Sequence, residues 1–159
     1  RQGFERHEPG ARQVADLPLE RLARELGADH CIDFLGHIQH AQMEAEFGPA
    51  WIQVVPSRWE EPFGIVTVEA QMRGTAAVVS DCGGPTEIID EGVTGLKFRV
   101  GDARSLESTL RSLLSDRAAC DQMGRAGRAR ALRLFEVNVM VDSFVDLYSE
   151  LLGRQPLTS

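Results

Sequence analysis

Short apolar runs alternate along this chain with stretches of helical length, and that alternation limits its fold more than any other feature. Cys31–Leu35, Trp51–Val55, Ala76–Ser80 and Leu96–Val100 each read as a strand of about five residues. The segments between them are too long for hairpins and carry helix-type spacing. Strand–helix–strand order calls for crossover connections, which join parallel strands. The expected class is therefore α/β, a Rossmann-like parallel sheet with helices on both faces.

The rest of the chain fits around that sheet. Residues 1–16 carry Gly3, Pro9 and Gly10 without an apolar period and read as a mobile lead-in. The domain is expected over 17–153, followed by a short tail, 154–159. In PLERLARELG, Leu19, Leu22, Ala23 and Leu26 share one helical face, and Gly27 is a stop signal. Residues Gln39–Phe47 permit a helix, and a further short helical turn is expected over Thr86–Ile89. After Asp102, whose carboxylate can cap a helix, three helices are predicted over about 103–115, 117–132 and 136–152. The last carries Val137, Val141, Phe144, Val145, Tyr148, Leu151 and Leu152 as an apolar stripe, read as core packing.

Composition removes several functional classes. A net charge of −7 disfavours nucleic acid as a partner, because few phosphates can be neutralised at once. No apolar stretch approaches the roughly 18 residues of a membrane span, and the N-terminus lacks a signal-peptide core; the cytoplasmic expectation rests on the cysteines. Cys31, Cys82 and Cys120 are odd in number and scattered, as suits reduced thiols. Cys82 reads as a small buried residue. His30, Cys31, His37 and His40 match no structural zinc spacing, so no metal is expected there. Arg125, Arg128, Arg130 and Arg133 form a basic stripe on one predicted helix, read as a solvated face, with peripheral contact to anionic lipid as the functional alternative.

The stretch RWEEPFGIVTVEAQMRG, residues 58–74, carries the chemistry. It runs from the end of a strand through a loop into a helix beginning near Gly64. In an open parallel sheet such strand-to-helix loops line the ligand cleft. The helix start offers unpaired amides and a positive dipole end, which favour an anion such as phosphate. Gly64, lacking a Cβ, permits close approach of a ligand to the backbone. Glu61 lies in the loop and Glu69 about one and a half turns into the helix, on the flank of a face built from Ile65, Val68 and Met72. A carboxylate offers two acceptor oxygens to paired sugar hydroxyls. Two of them around an amide-rich helix start suit a ligand with hydroxyls at both ends and phosphate between, the layout of a nucleotide sugar.

From Val54 the chain resembles the donor-binding half of retaining glycosyltransferases built from two Rossmann-like domains, the GT-B architecture of the large bacterial group 1 family. E-P-F-G-x-x-x-x-E, the S-x-x-G-G turn and the E-G-x-T-G turn stand in the family's order and spacing. The resemblance extends through DFLGHI upstream and MGRAGR downstream, over about 17–152. It implies that Glu61, the residue at the reaction centre, contacts hydroxyls of the transferred sugar. It also implies that the amides of Phe63, Gly64 and Ile65 face the sugar or diphosphate, and that Glu69 grips the ribose. The loop around Ile38 would lie against the nucleobase, and Gly83-Gly84 would form part of the cleft wall. The implied donor is a UDP- or GDP-sugar, the implied reaction keeps the anomeric configuration, and no metal is implied.

Two departures from the family pattern shape the expectation. The family's upstream arginine–lysine pair cannot be present, because Lys97 is the only lysine. Nor do residues 1–30 read as the two strands that open the family's donor domain. The chain is therefore expected to be a fragment lacking its first strands and the N-terminal acceptor-binding domain. Alone it is expected to be inactive and to bind nucleotides weakly; in the whole protein it would work in the cytoplasm, at the inner face of the membrane if it touches lipid. Two rival readings are a non-catalytic nucleotide-sugar-binding or assembly module that retains the fold, and a UDP-sugar epimerase-like enzyme.

Overall fold

A computed structural model describes residues 18–153; the expected lead-in and the tail lie outside these. Its contacts divide the chain between Gln42 and Met43 into two units.

Within the first unit, α1 spans Pro18–Glu25 and ends two residues before Gly27, which takes φ 65°. That left-handed geometry suits glycine and closes the helix as its sequence foretold. Ala23 is the only buried residue of α1, while Leu19, Leu22 and Leu26 remain exposed. A single 3-10 turn follows at Asp29–Cys31. The strand expected at Cys31–Leu35 is not formed: Cys31 closes that turn, and 32–36 belong to no sheet. β-propensity alone does not make a strand, since the backbone also needs a neighbouring ladder. Helix α2, His40–Phe47, bridges the division.

The second unit is the α/β body. Three parallel strands, β1 (Ile52–Val55), β2 (Ala76–Ser80) and β3 (Gly95–Phe98), lie in the order β1-β2-β3. Their register pairs Ile52 with Ala76 and Ala77 with Gly95. β2 is central and every residue of it is buried, so its run AAVVS is apolar on both faces. Ala76 and Val78 point into one core with Phe98, Leu113, Cys120 and Met123. Ala77 and Val79 point into the other with Val55 and Ile89. The first core is covered by α5 (Ala103–Leu114) and α6 (Arg117–Phe135), the second by α3 (Ile65–Arg73) and the short α4 (Pro85–Ile88). Helices therefore lie on both faces of the sheet.

The helix boundaries follow local chemistry. Asp102 caps α5, its Oδ1 accepting from the amides of Arg104 and Ser105, each at 3.0 Å. These bonds, the Ser105 amide first, together with the Arg99 guanidinium, hold the Asp102 carboxyl below its usual value. Asp116 caps α6 through the Ala119 amide. Cys120, fully buried, donates its thiol to the Leu113 carbonyl at 3.2 Å, and burial raises its pKa.

Close contact between α3 and α6 is built on glycine. A Cβ on Gly124 would stand 1.9 Å from the Gly74 carbonyl oxygen, so the helix backbones meet with nothing between them. This changes the expected face of α3. Its buried residues are Thr67, Val68, Ala70 and Gln71, whereas Ile65 is 62% exposed and Met72 only half-buried. Packed between the sheet and α6, the helix hides two sides, and small or polar residues line the second. Gln71 donates from Nε2 to Thr94 Oγ1 at 3.3 Å, beside Gly127.

The basic stripe on α6 is not simply solvated. Arg130 donates from Nε to the Ile88 carbonyl at 2.8 Å and from Nη2 to that of Glu87, and Arg128 donates to the Met72 carbonyl. Two guanidinium groups thus occupy the carboxyl ends of α4 and α3, where the last carbonyls lack helical partners. The last helix, α7 (Val137–Leu151), also departs from expectation. Its stripe is not buried: Val137, Val141, Phe144, Val145, Tyr148 and Leu151 are 37–73% exposed, and Ser149 is its buried residue. Among the described residues α7 packs chiefly on α6, a contact that covers only a narrow face.

Candidate functional site

The loops that follow β1 and β2 meet at the carboxyl end of the sheet. Residues 56–64 connect β1 to α3, and 81–84 connect β2 to α4. The two are locked together. The Gly84 amide donates to the Glu61 carbonyl at 2.7 Å. A Cβ on Gly83 would meet the Glu61 backbone at 2.6 Å, and one on Gly84 would meet the Phe63 carbonyl oxygen at 2.5 Å. The glycine pair is therefore needed for chain-to-chain approach, and its contact partner is the loop that carries Glu61.

Gly64 has a similar explanation, different from the expected one. It takes φ 88° and ψ 53°, and a Cβ there would lie 2.6 Å from the Pro85 ring. The space that was expected to admit a ligand is filled by Pro85, and Gly64 itself is buried. The helix start nevertheless stays open in hydrogen-bonding terms. Gly64 is the N-cap and supplies no side-chain acceptor. The Thr67 amide turns back to the Gly64 carbonyl at 2.9 Å, while among the described residues the amides of Ile65 and Val66 have no protein acceptor. Such free first-turn donors attract an anion.

Glu61 is half-buried and held. Its Oε2 accepts from Ser57 Oγ at 2.8 Å. The Ser57 carbonyl in turn accepts from Ser80 Oγ at 2.6 Å, at the end of β2. Cys82 points its thiol at the Ser57 and Trp59 carbonyls, at 3.5 and 3.4 Å, and is half-exposed rather than buried. Phe63 turns its ring edge-to-face against Phe135 at the end of α6, with centroids 5.8 Å apart. Glu69 is also half-buried, four residues beyond Ile65 and so about 6 Å along the helix axis. No described residue engages it in a hydrogen bond or ion pair.

The structure thus brings Glu61, Phe63, Gly83 and Gly84 into mutual contact and sets Gly64, Ile65 and Glu69 along the helix leaving that contact. Ile38 is half-buried in a loop of the first unit and is not among the residues brought together here. Ser57 left no trace in the sequence beyond polarity after an apolar strand, whereas Ser80 is the serine of the S-x-x-G-G turn, and its bond to the Ser57 carbonyl is what the fold adds.

Comparison with known proteins now identifies the chain. The family model for glycosyl transferases group 1 matches residues 13–130, and the chain belongs to that family. It is 35% identical over 115 residues to glycogen synthase of Mycobacterium tuberculosis, covering 72% of this chain and 28% of that enzyme. It is 32% identical over 116 residues to alpha-maltose-1-phosphate synthase of the same organism, covering 69% of this chain and 30% of the relative. A solved sucrose-phosphate synthase from Thermosynechococcus elongatus superposes with a TM-score of 0.77 at 31% identity, over 85% of this chain and 34% of that one. Anabaena HepE in complex with UDP shares the fold, with a TM-score of 0.78 at 24% identity, over 83% and 36%. The chain spans about a third or less of these relatives' length. No helix among the described residues is long and apolar enough to cross a membrane.

Proposed function

We propose that these residues form the donor half of a GT-B glycosyltransferase that moves a sugar from a UDP- or GDP-sugar to an acceptor with retention of anomeric configuration. Membership of the group 1 family supports the reaction class. The observation that carries the site assignment is the uncapped start of α3 at the carboxyl end of the sheet, with half-buried Glu61 before it and half-buried Glu69 beyond it.

In this reading Glu61 accepts from hydroxyls of the transferred sugar and orients it. The amides of Phe63, Gly64 and Ile65 lie along the sugar and diphosphate, and Glu69 accepts from the ribose hydroxyls. The Gly83-Gly84 turn shapes the wall by holding the Glu61 loop in place. The leaving diphosphate takes the acceptor's proton on the face from which it departs, so the new bond forms on that same face. Charge on the diphosphate is met in this chain by the positive end of α3, with no metal ion required. The acceptor is held by a separate N-terminal domain of the whole protein, and contact with a membrane belongs to that protein too.

Calorimetric titration of the 159-residue chain with UDP, GDP, UDP-glucose, GDP-mannose and ATP tests the reading. Millimolar binding of one diphosphate nucleotide and its sugar, ahead of ATP, is expected. Submillimolar affinity contradicts the incompleteness of the site in this chain. Indifference between ATP and the nucleotide sugars contradicts the donor assignment.

A further inference from the structure

Glu61 is the better restrained of the two acidic residues, and the restraint is specific. Its backbone is fixed by the Gly84 amide, and its side chain by the Ser57 hydroxyl at 2.8 Å. An ionised carboxylate only accepts, so Ser57 spends its single hydroxyl proton on Oε2. The Ser57 backbone is in turn pinned, its carbonyl accepting from Ser80 Oγ at 2.6 Å. Ser80 also lies 3.3 Å from the Val55 carbonyl and is itself 1% exposed. A path of hydrogen bonds therefore runs from the buried end of the central strand, through Ser57, to one oxygen of the Glu61 carboxylate. Glu69 has no corresponding tether among the described residues.

We propose that Ser57 is a positioning residue that presets the Glu61 carboxylate for the transferred sugar. With Oε2 held, Oε1 and the remaining lone pair of Oε2 face the ligand in one orientation. A free glutamate samples many rotamers, and ordering it on binding costs affinity. The tether removes that cost for the sugar portion of the donor and leaves the nucleotide portion unaffected. Ser80 acts one step further back, by fixing the loop that carries Ser57. The consequence for the donor rests on the glycosyltransferase reading; the orientation of Glu61 does not.

The experiment has two arms on the 159-residue chain. In the first, crystal structures of the wild type, Ser57→Ala and Ser57→Thr are compared without ligand. The Glu61 side chain is expected to leave its position or populate several rotamers in Ser57→Ala, and to keep its place in Ser57→Thr, which restores the hydroxyl. An unmoved, single Glu61 rotamer in Ser57→Ala overturns the inference. In the second arm, amide chemical shifts follow titration with UDP and with UDP-glucose, in a concentration range that captures weak binding. The ratio of the UDP-glucose to the UDP dissociation constant is expected to rise roughly tenfold in Ser57→Ala and to return in Ser57→Thr. Equal weakening of both ligands contradicts a role confined to the sugar. If wild-type amides at the start of α3 ignore both ligands, the donor reading fails, and the first arm alone decides the role of Ser57.

Discussion

Replacing Gly84 by alanine puts the account of the site under direct strain. Gly84 sits at φ −54° and ψ −36°, ordinary right-handed geometry, so alanine meets no backbone penalty there. What it meets is protein. The new Cβ falls 2.5 Å from the Phe63 carbonyl oxygen, 2.6 Å from its Cα and 2.7 Å from its carbonyl carbon, whereas ordinary contact begins at 3.4 Å. All three atoms are backbone, so no flexible side chain can swing away. The 61–63 segment must retreat by most of an ångström. Overpacking of this kind costs about 1–3 kcal/mol. Loosening the 2.7 Å bond from the Gly84 amide to the Glu61 carbonyl adds about 0.5–1.5 kcal/mol. Stiffening of the unfolded chain returns roughly 0.4–1 kcal/mol. A net loss of about 0.5–4 kcal/mol corresponds to a fall in Tm of roughly 1–16 °C for a chain of this size. Thermal denaturation by circular dichroism measures it, and an amide spectrum should place the largest shifts at 61–64. Gly92→Ala is the control: its Cβ meets nothing within 4 Å, but its φ of 77° costs about 1–2 kcal/mol without disturbing the site. A Gly84→Ala protein as stable as the wild type, with its 61–64 amides unmoved, would refute the interlocked-loop argument.

Other expectations follow from the same structure. Val79, 0% exposed in the centre of the sheet, should cost about 1.5–3 kcal/mol when cut to alanine, read from chemical denaturation; a loss under half that range contradicts its place in the core. Gly124→Ala should be the more damaging change, because its Cβ falls on the Gly74 carbonyl; an unchanged melting curve would mean α3 and α6 are not in contact there. Asp102 has a lowered folded-state pKa, so the stability its charge confers is complete above its ordinary value of 3.8 and is lost as pH falls through the lowered one. The gap between wild type and Asp102→Ala should thus narrow on acidification below that value, and a gap that widens there has the wrong sign. In the whole protein, Glu69→Ala should weaken donor binding by roughly 1.5–3 kcal/mol; an unchanged donor dissociation constant removes Glu69 from the site.

Much of this architecture was readable from residue order alone, for reasons particular residues make clear. Ala76–Ser80 is found at its expected bounds because a central parallel strand, buried on both faces, shows as an unbroken apolar run between turns. Gly27, Gly74 and Asp102 end or begin helices because capping chemistry is local. The run at Cys31–Leu35 misled for the opposite reason, since a mostly apolar stretch carries no information about whether a ladder partner lies beside it. For α7 the period of the helix was right and its burial wrong, because an amphipathic pattern shows which residues share a face but not what covers that face.

The site was legible in part. Glu61, Glu69 and the glycine turn stood out as a pattern, yet the reason for each glycine did not. Gly64 makes room for Pro85, and Gly84 for the Phe63 backbone, and both contacts join segments about twenty residues apart. The Ser57 tether was hidden for a related reason. A serine after a strand is unremarkable until the fold brings Ser80 against its carbonyl and turns Glu61 back toward its hydroxyl.

The central claim is that a nucleotide-sugar diphosphate settles at the open start of α3 between Glu61 and Glu69. Amide chemical-shift mapping of the isotopically labelled chain with UDP and UDP-glucose tests this most directly, because it locates even weak binding residue by residue. The largest changes are expected on Phe63, Gly64, Ile65 and Val66, with smaller ones at Glu69, Gly83 and Gly84, and UDP-glucose alone should add a response at Glu61. Changes centred anywhere else in the sheet or helices, with these amides still, would contradict the claim.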